Sequence, residues 1–252
     1  MAIWGDSHAA VLANPLGKAL AADGVALVEL SGSSCMPIPE VRNTALKRAE
    51  YCSVHNALML DHMLAAPALK VVVIFAYWNS YAEARDYDNR AGALVRDRLV
   101  ALPLGAPDDM PDDQRLAALT ALLRDSLLRL TQAGKRVVIL GPIPEPGFDL
   151  PDRLGRDLWL GLDPAAHAEF PEAAFADYAA AARGLLADAA RDVPGVTILD
   201  PGPLFCTPGA TCRVVRDGKP LFFDGNHLSL AGSALVVPPL ADAVRAALAP
   251  AD

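Results

Sequence analysis

The sequence is short of positive charge. Its 22 Lys and Arg stand against 30 Asp and Glu, a net charge of -8 at neutral pH. That balance, with a pI near 5.1, leaves no electrostatic footprint for a polyanion, so nucleic acid is excluded as an expected partner. The chain also lacks any run approaching the roughly 20 uninterrupted apolar residues of a membrane span. Its most apolar run, Val71 to Ala76, has the length of a strand. No basic region followed by an apolar stretch opens the chain, so no secretion signal is read there. Cysteine is scarce: four residues form two local pairs, Cys35 with Cys52 and Cys206 with Cys212. Neither pair has CxxC spacing and no nearby histidine supplies two further ligands, which argues against zinc. Disulfides in an oxidising compartment are the expected state, with free thiols the alternative. The Pro-Gly centre between Cys206 and Cys212 favours a turn that brings those sulfurs together.

What is present is an α/β pattern. The 252 residues, 53% of them apolar, suffice for one large domain with a substantial core. Strand-like segments at Ala2 to Trp4, Val25 to Leu30, Lys70 to Ala76, Arg136 to Leu140 and Val196 to Leu199 alternate with helical stretches. The helical stretches run over Ala9 to Ala22, Tyr51 to Leu64, Asp112 to Gln132, Pro171 to Arg191 and Ser229 to Ala249. Such βαβα order predicts a parallel sheet with helices on both faces. Arg213 to Val215 and Pro220 to Phe222 flank an Asp-Gly hairpin signal. The segments 85–111 and 141–170 are long for connections and are candidate lids or binding walls. Only Ala2-Ile3-Trp4 precede the first turn, and the expectation is a domain excised from a longer protein.

The chemistry concentrates at the two ends. Ser7 follows the first strand in Trp4-Gly5-Asp6-Ser7-His8, and Asp224-Gly225-Asn226-His227 precedes the last helix. A serine hydroxyl becomes a useful nucleophile when an imidazole takes its proton and a carboxylate fixes the imidazole tautomer. Read alone, Asp6 or Ser7 serves equally well as a helix N-cap, and a lone DxxH is a common helix start. Position gives the pair its value: in an open parallel sheet, ligands bind at the carboxyl ends of the strands. Tyr77, Trp78 and Tyr81 cluster after the third strand, where they either stack on a sugar ring or simply cover the sheet end. His8 is expected to face solvent or a neighbouring loop. His55 and His62 are expected at a helix surface, and His167 lies in a loop without liganding neighbours.

These end blocks resemble the SGNH (GDSL-like) hydrolases, and most closely the SGNH domains fused to membrane acyltransferases of family 3. Trp4-Gly5-Asp6-Ser7-His8-Ala9 is similar to their opening block. Phe222-Phe223-Asp224-Gly225-Asn226-His227-Leu228-Ser229, followed by Gly232, is similar to their closing block, and Cys206 and Cys212 match cysteines common there. The resemblance spans the chain and implies a single three-layer α/β/α domain with a five-stranded parallel sheet. It implies Ser7 as nucleophile, His227 as general base and Asp224 as its orienting carboxylate. The backbone N–H groups of Ser7 and Gly32 would serve as oxyanion donors. The family's asparagine block departs here: Trp78 occupies the Asn position, and Asn79, one residue on, is the remaining donor candidate. Tyr77 and Trp78 are the candidate substrate-binding aromatics. The implied activity is transfer of an acetyl group to a saccharide hydroxyl of a cell-surface polysaccharide in the bacterial periplasm. A fused membrane domain would deliver the acetyl group, and no metal or cofactor is called for. A carbohydrate esterase and a non-catalytic glycan-presenting module are the alternatives.

Overall fold

The computed structural model describes residues 1–83, 85–95, 100–163 and 168–249. His167 lies outside the described residues, as does part of each long connection. Five strands form the central sheet: β1 (Ala2–Gly5), β2 (Val28–Ser31), β3 (Val71–Phe75), β4 (Arg136–Leu140) and β5 (Val196–Leu199). They run parallel in the order β5-β4-β3-β1-β2. β3 is Val-Val-Val-Ile-Phe and buried throughout, as a central strand covered on both faces must be. The outer strands show their position in their exposure: Val28 and Glu29 on β2, and Thr197 and Ile198 on β5, face solvent.

The strand order reverses between β1 and β3, because β2 lies on one side of β1 and β3 on the other. That is the switch point at which the carboxyl ends of an open parallel sheet leave a crevice. Its two banks are the segment after Gly5 and the segment after Phe75, residues that face each other in the ladder. The approach is so close that a Cβ on Gly5 would lie 1.7 Å from the carbonyl oxygen of Phe75.

Eight helices complete the described frame: α1 (Ser7–Leu20), α2 (Tyr51–Ala65), α3 (Trp78–Ala82), α4 (Asp112–Gln132), α5 (Leu150–Trp159), α6 (Glu172–Ala190), α7 (Gly202–Phe205) and α8 (Leu230–Leu248). α1 packs on α8 over one face of the sheet, while α4 packs on α6 and α2 over the other. α8 is long and apolar enough by composition to cross a membrane. In this fold it lays Val236, Leu240 and Val244 into the core, one above another at helical spacing.

Several boundaries differ from the sequence pattern for local reasons. α1 begins at Ser7 rather than Ala9 because the Asp6 side chain caps it, accepting from the His8 N–H at 2.8 Å. The Asp-Gly hairpin forms between Val215–Arg216 and Lys219–Pro220, with Asp217 and Gly218 both at positive φ. Thr211–Arg213 pairs instead with Glu169–Pro171, which shortens the expected hairpin arms. The two long connections carry structure of their own, including α5 and a pairing of Ala101–Pro103 with Val41–Asn43. Both cysteine pairs are disulfides. The Cys35–Cys52 bridge ties the loop after β2 to the first turn of α2 and, by loop closure, contributes about 3 kcal/mol.

The contact at Gly5 gives a direct test of this frame. Gly5→Ala drives a methyl into backbone that cannot yield. It is expected to destabilise the domain by about 3 kcal/mol or more, read as a lower urea midpoint at unchanged slope. A variant within about 0.5 kcal/mol of the parent would refute the close approach of β1 and β3.

Candidate active site

Asp6 organises the crevice. Its carboxylate is 1% exposed and accepts three hydrogen bonds: from His8 N–H at 2.8 Å, from Tyr77 N–H at 2.9 Å, and from the Tyr81 hydroxyl at 2.9 Å. One group thus joins the end of β1, the start of α1, the end of β3 and α3. Burial pushes its pKa up, but the His8 ring and the N–H groups of Tyr77 and His8 outweigh that, and the net displacement is downward. Nδ1 of His8 lies 3.3 Å from the Asp6 carboxylate, an electrostatic contact too poorly aligned to count as a hydrogen bond.

Ser7 stands beside this joint, half-buried at the first position of α1, where a backbone N–H has no intrahelical acceptor. Its Oγ is 2.8 Å from Nε2 of His227, which comes from the other end of the chain. Nδ1 of His227 is in turn 2.7 Å from Oδ2 of Asp224. With the proton on Nδ1, the imidazole donates to Asp224 and accepts the Ser7 hydroxyl, a geometry suited to removing that proton.

The D-x-x-H spacing has a physical reason. Asp224 Oδ1 accepts from the N–H groups of Asn226 and His227, at 2.9 and 2.7 Å, and closes the chain into a tight turn. That turn leaves Oδ2 facing the imidazole three residues on. Partial burial opposes the charge on Asp224, but the His227 ring and the two N–H groups prevail and hold its pKa at about 2. The turn is anchored from outside as well. Ser229 caps α8, accepting from Ala231 and Gly232 N–H, and donates to Pro220 O at 2.6 Å. Gly232 lets α8 touch the chain leaving the hairpin, since a Cβ there would lie 2.1 Å from Leu221 O.

Other expected residues sit differently. His8 does not face solvent: it is buried, stacked between Tyr77 (4.7 Å between centroids) and His227 (4.3 Å). Trp78 is also buried, its indole N–H donating to Leu140 O at 2.7 Å, so it presents no face to a sugar. Tyr77 and Tyr81 spend their hydroxyls on Glu145 and Asp6. The aromatic cluster therefore closes the sheet end. Gly32 N–H is committed to the Gly5 carbonyl at 2.9 Å, one rung beyond the β1–β2 ladder, and is not aimed at Ser7 as an oxyanion donor. Asn79 is buried with its amide nitrogen 3.4 Å from Glu145 Oε1 rather than turned to Ser7. His62 is exposed as expected, whereas His55 is half-buried with its ring against Gly32.

The family model described as "SGNH domain (fused to AT3 domains)" matches residues 1–242. The chain belongs to this family. The SGNH domain is also similar in fold to the periplasmic domain of a lipopolysaccharide acetyltransferase from Salmonella ser. Paratyphi A. That likeness has a TM-score of 0.59 at 15% identity, over 97% of this chain and 83% of that one. A protein from Streptococcus pneumonia described as a platelet activating factor is similar as well, with TM-score 0.51 and 14% identity over 96% and 82% of the two chains. No curated protein matches.

Two residues of the candidate site escape a reading of the sequence. Phe223, half-exposed, stacks on the His227 ring at 5.3 Å and offers the apolar face that Trp78 does not. Its signal was adjacency to Asp224. Glu145, buried under Tyr77, carries no sequence signal beyond being an acidic residue among the prolines after β4.

The role of Asp6 can be measured. Asp6→Asn keeps the shape but turns an amide N–H toward donors, and is expected to destabilise the domain by about 2–4 kcal/mol. The native carboxylate's pKa lies below its ordinary value of 3.8, so its contribution is complete above that pH and is lost as pH falls further. The gap between parent and variant in urea unfolding should therefore narrow in acid. A gap that stays constant through acid would rule out the charged form as the stabilising one.

Proposed function

We propose that this SGNH domain is a serine-dependent O-acyltransferase that moves an acetyl group to a sugar hydroxyl of a bacterial cell-surface polysaccharide. The observation that carries the reading is the hydrogen-bonded series Ser7–His227–Asp224, assembled from the two ends of the chain. The family description, with its fusion to AT3 domains, supports a membrane partner that delivers the acetyl group. The similarity to a lipopolysaccharide acetyltransferase periplasmic domain supports a saccharide acceptor outside the cytoplasm, and two disulfides fit that compartment.

In this mechanism Ser7 Oγ attacks the acetyl carbonyl while His227 Nε2 takes its proton. The negative charge that develops on the carbonyl oxygen is met by the Ser7 N–H at the start of α1, where the helix dipole also favours it. His227 returns the proton to the leaving group, and an acetyl-Ser7 ester remains. The acceptor hydroxyl then attacks that ester as His227 takes its proton, and collapse transfers the acetyl group and restores the Ser7 hydroxyl. Asp224 holds the imidazole in the required tautomer throughout and stabilises the imidazolium formed in each half. Phe223, beside His227, is the apolar surface on which an acceptor ring would rest.

Transfer from a soluble aryl acetate, with and without saccharides, tests this reading. Ser7→Ala should lower turnover by more than about 10⁴-fold, and Asp224→Asn by about 10⁴-fold, with little change in KM. Mass spectrometry of the parent should find acetyl on Ser7 after acid quench and on the saccharide after turnover. Acetyl released to water alone would make the domain an esterase. Ser7→Ala that leaves polysaccharide acetylation intact would make it a glycan-presenting module.

A further inference from the structure

Behind the His227–His8 stack lies a buried acid that the acyl-transfer mechanism does not use. Glu145 follows β4 in the Pro-rich loop and is 2% exposed. No Lys or Arg pairs with it among the described ion pairs. Its Oε2 is bonded to the Tyr77 hydroxyl, its Oε1 meets the Asn79 amide nitrogen at 3.4 Å, and its main-chain carbonyl accepts from the Tyr87 hydroxyl at 3.0 Å. A small cavity of about 10 Å³, lined by His8, Tyr77, Asn79, Glu145 and Asn226, opens beside it. The side-chain oxygens of Asn79 and Asn226 and both ring nitrogens of His8 are buried without a hydrogen-bond partner. The groups facing Glu145 are thus hydroxyls, amides, the His8 ring and one anion, Asp224. A carboxylate buried without a cation loses several kcal/mol of solvation, so the protonated form is favoured.

We propose that Glu145 is a positioning residue of the acyl-transfer centre. Acting as a neutral carboxylic acid, it fixes Tyr77, and through the Tyr77–His8 stack it fixes the His227 ring against Ser7. This role rests on the reading of Ser7, His227 and Asp224 given above. The mechanical path is short: the Glu145–Tyr77 bond, then ring faces 4.7 and 4.3 Å apart, then the 2.8 Å contact of His227 with Ser7. Ionisation disturbs the centre from the other side: it places a second buried negative charge beside Asp224 and repels the carboxylate that orients the His227 ring, although the bonds from Tyr77 and Asn79 favour the charge. Burial pushes the Glu145 pKa to about 8, helped by the charge of Asp224 and opposed by the bonds from Tyr77 and Asn79. Burial likewise raises the hydroxyl pKa values of Tyr77 and Tyr87, so these stay protonated while Glu145 titrates. The folded-state value lies above the ordinary 4.5, so the stability linked to the bound proton is complete below 4.5 and is lost as pH rises through about 8.

The test measures Ser7-dependent acetyl transfer on both sides of pH 8 for the parent, Glu145→Gln and Glu145→Ala. The parent should lose kcat as pH rises past 8. Glu145→Gln, neutral at every pH, should keep most of the neutral-pH kcat and lose the alkaline fall. Glu145→Ala should lower kcat by up to about 10²-fold with little change in KM, because the reacting groups are held less closely. If Glu145→Ala fails to fold, Glu145→Gln decides alone. An alkaline fall in Glu145→Gln equal to the parent's, or a neutral-pH loss as large as that of Glu145→Ala, would overturn the proposal. Infrared difference spectra of the parent against Glu145→Gln give a readout without turnover: a protonated-carboxyl band at pH 7 that fades above pH 8. Turnover without that band would overturn the role of Glu145 and keep the acyl-transfer reading. The band without Ser7-dependent turnover would overturn acyl transfer and keep the neutral acid.

Discussion

A carboxylate at the switch point of the sheet has to satisfy two demands: its own burial, and the loose ends of the elements that meet there. Asp6 does both with three accepted hydrogen bonds, one each from α1, from the chain leaving β3 and from α3. Its negative charge sits at the start of α1, where the helix dipole favours it and where the first-turn N–H groups need acceptors. Because it spends itself on His8, Tyr77 and Tyr81, it leaves the N–H and hydroxyl of Ser7 unclaimed by the joint. The serine is therefore placed by its neighbour and kept available by the same neighbour.

The other half of the site is a nearly self-contained turn. Asp224 closes it with two backbone N–H groups and still presents an oxygen to the imidazole three residues later. Such a turn carries its own geometry and needs only docking. The α1–α8 packing, the Ser229 cap and the contact of Gly232 with Leu221 supply that docking. His8 fills the space where the halves meet, its ring parallel to both His227 and Tyr77 within 25°. The two ends of the chain meet through aromatic faces as well as through the Ser7–His227 hydrogen bond.

This division explains what the sequence disclosed. The five parallel strands, the apolar run of β3 and the pairing of Cys206 with Cys212 follow from local patterns, and the structure has them. Ser7, Asp224 and His227 stand out because their residue types fall in short blocks at the chain ends, and the structure brings the three side chains within hydrogen-bond distance. Much of what was hidden depends on partners 60 or more residues distant. Trp78 turns inward because Leu140 O is there to accept its N–H, 62 positions away, and Tyr77 is held by a glutamate 68 positions away. Gly32 was misplaced for a subtler reason. The β1–β2 hydrogen bonding runs one residue past the strand, and no local pattern marks where a ladder stops.

The three carboxyl groups around the His8–His227 pair have environments that drive them apart. Asp6 and Asp224 receive backbone N–H groups and stay ionised; Glu145 receives only a hydroxyl and a side-chain amide, and burial dominates. The separation has a consequence for the proposed acyl-transfer centre. Two anions are already present, one in contact with each imidazole. A third, buried beside Asp224, would repel the carboxylate that orients the His227 ring. A neutral Glu145 avoids this repulsion while still offering hydrogen bonds. The same burial that makes its charge unfavourable makes it useful as a rigid support for Tyr77, because an acid that cannot reach water has only its two bonded neighbours to hold.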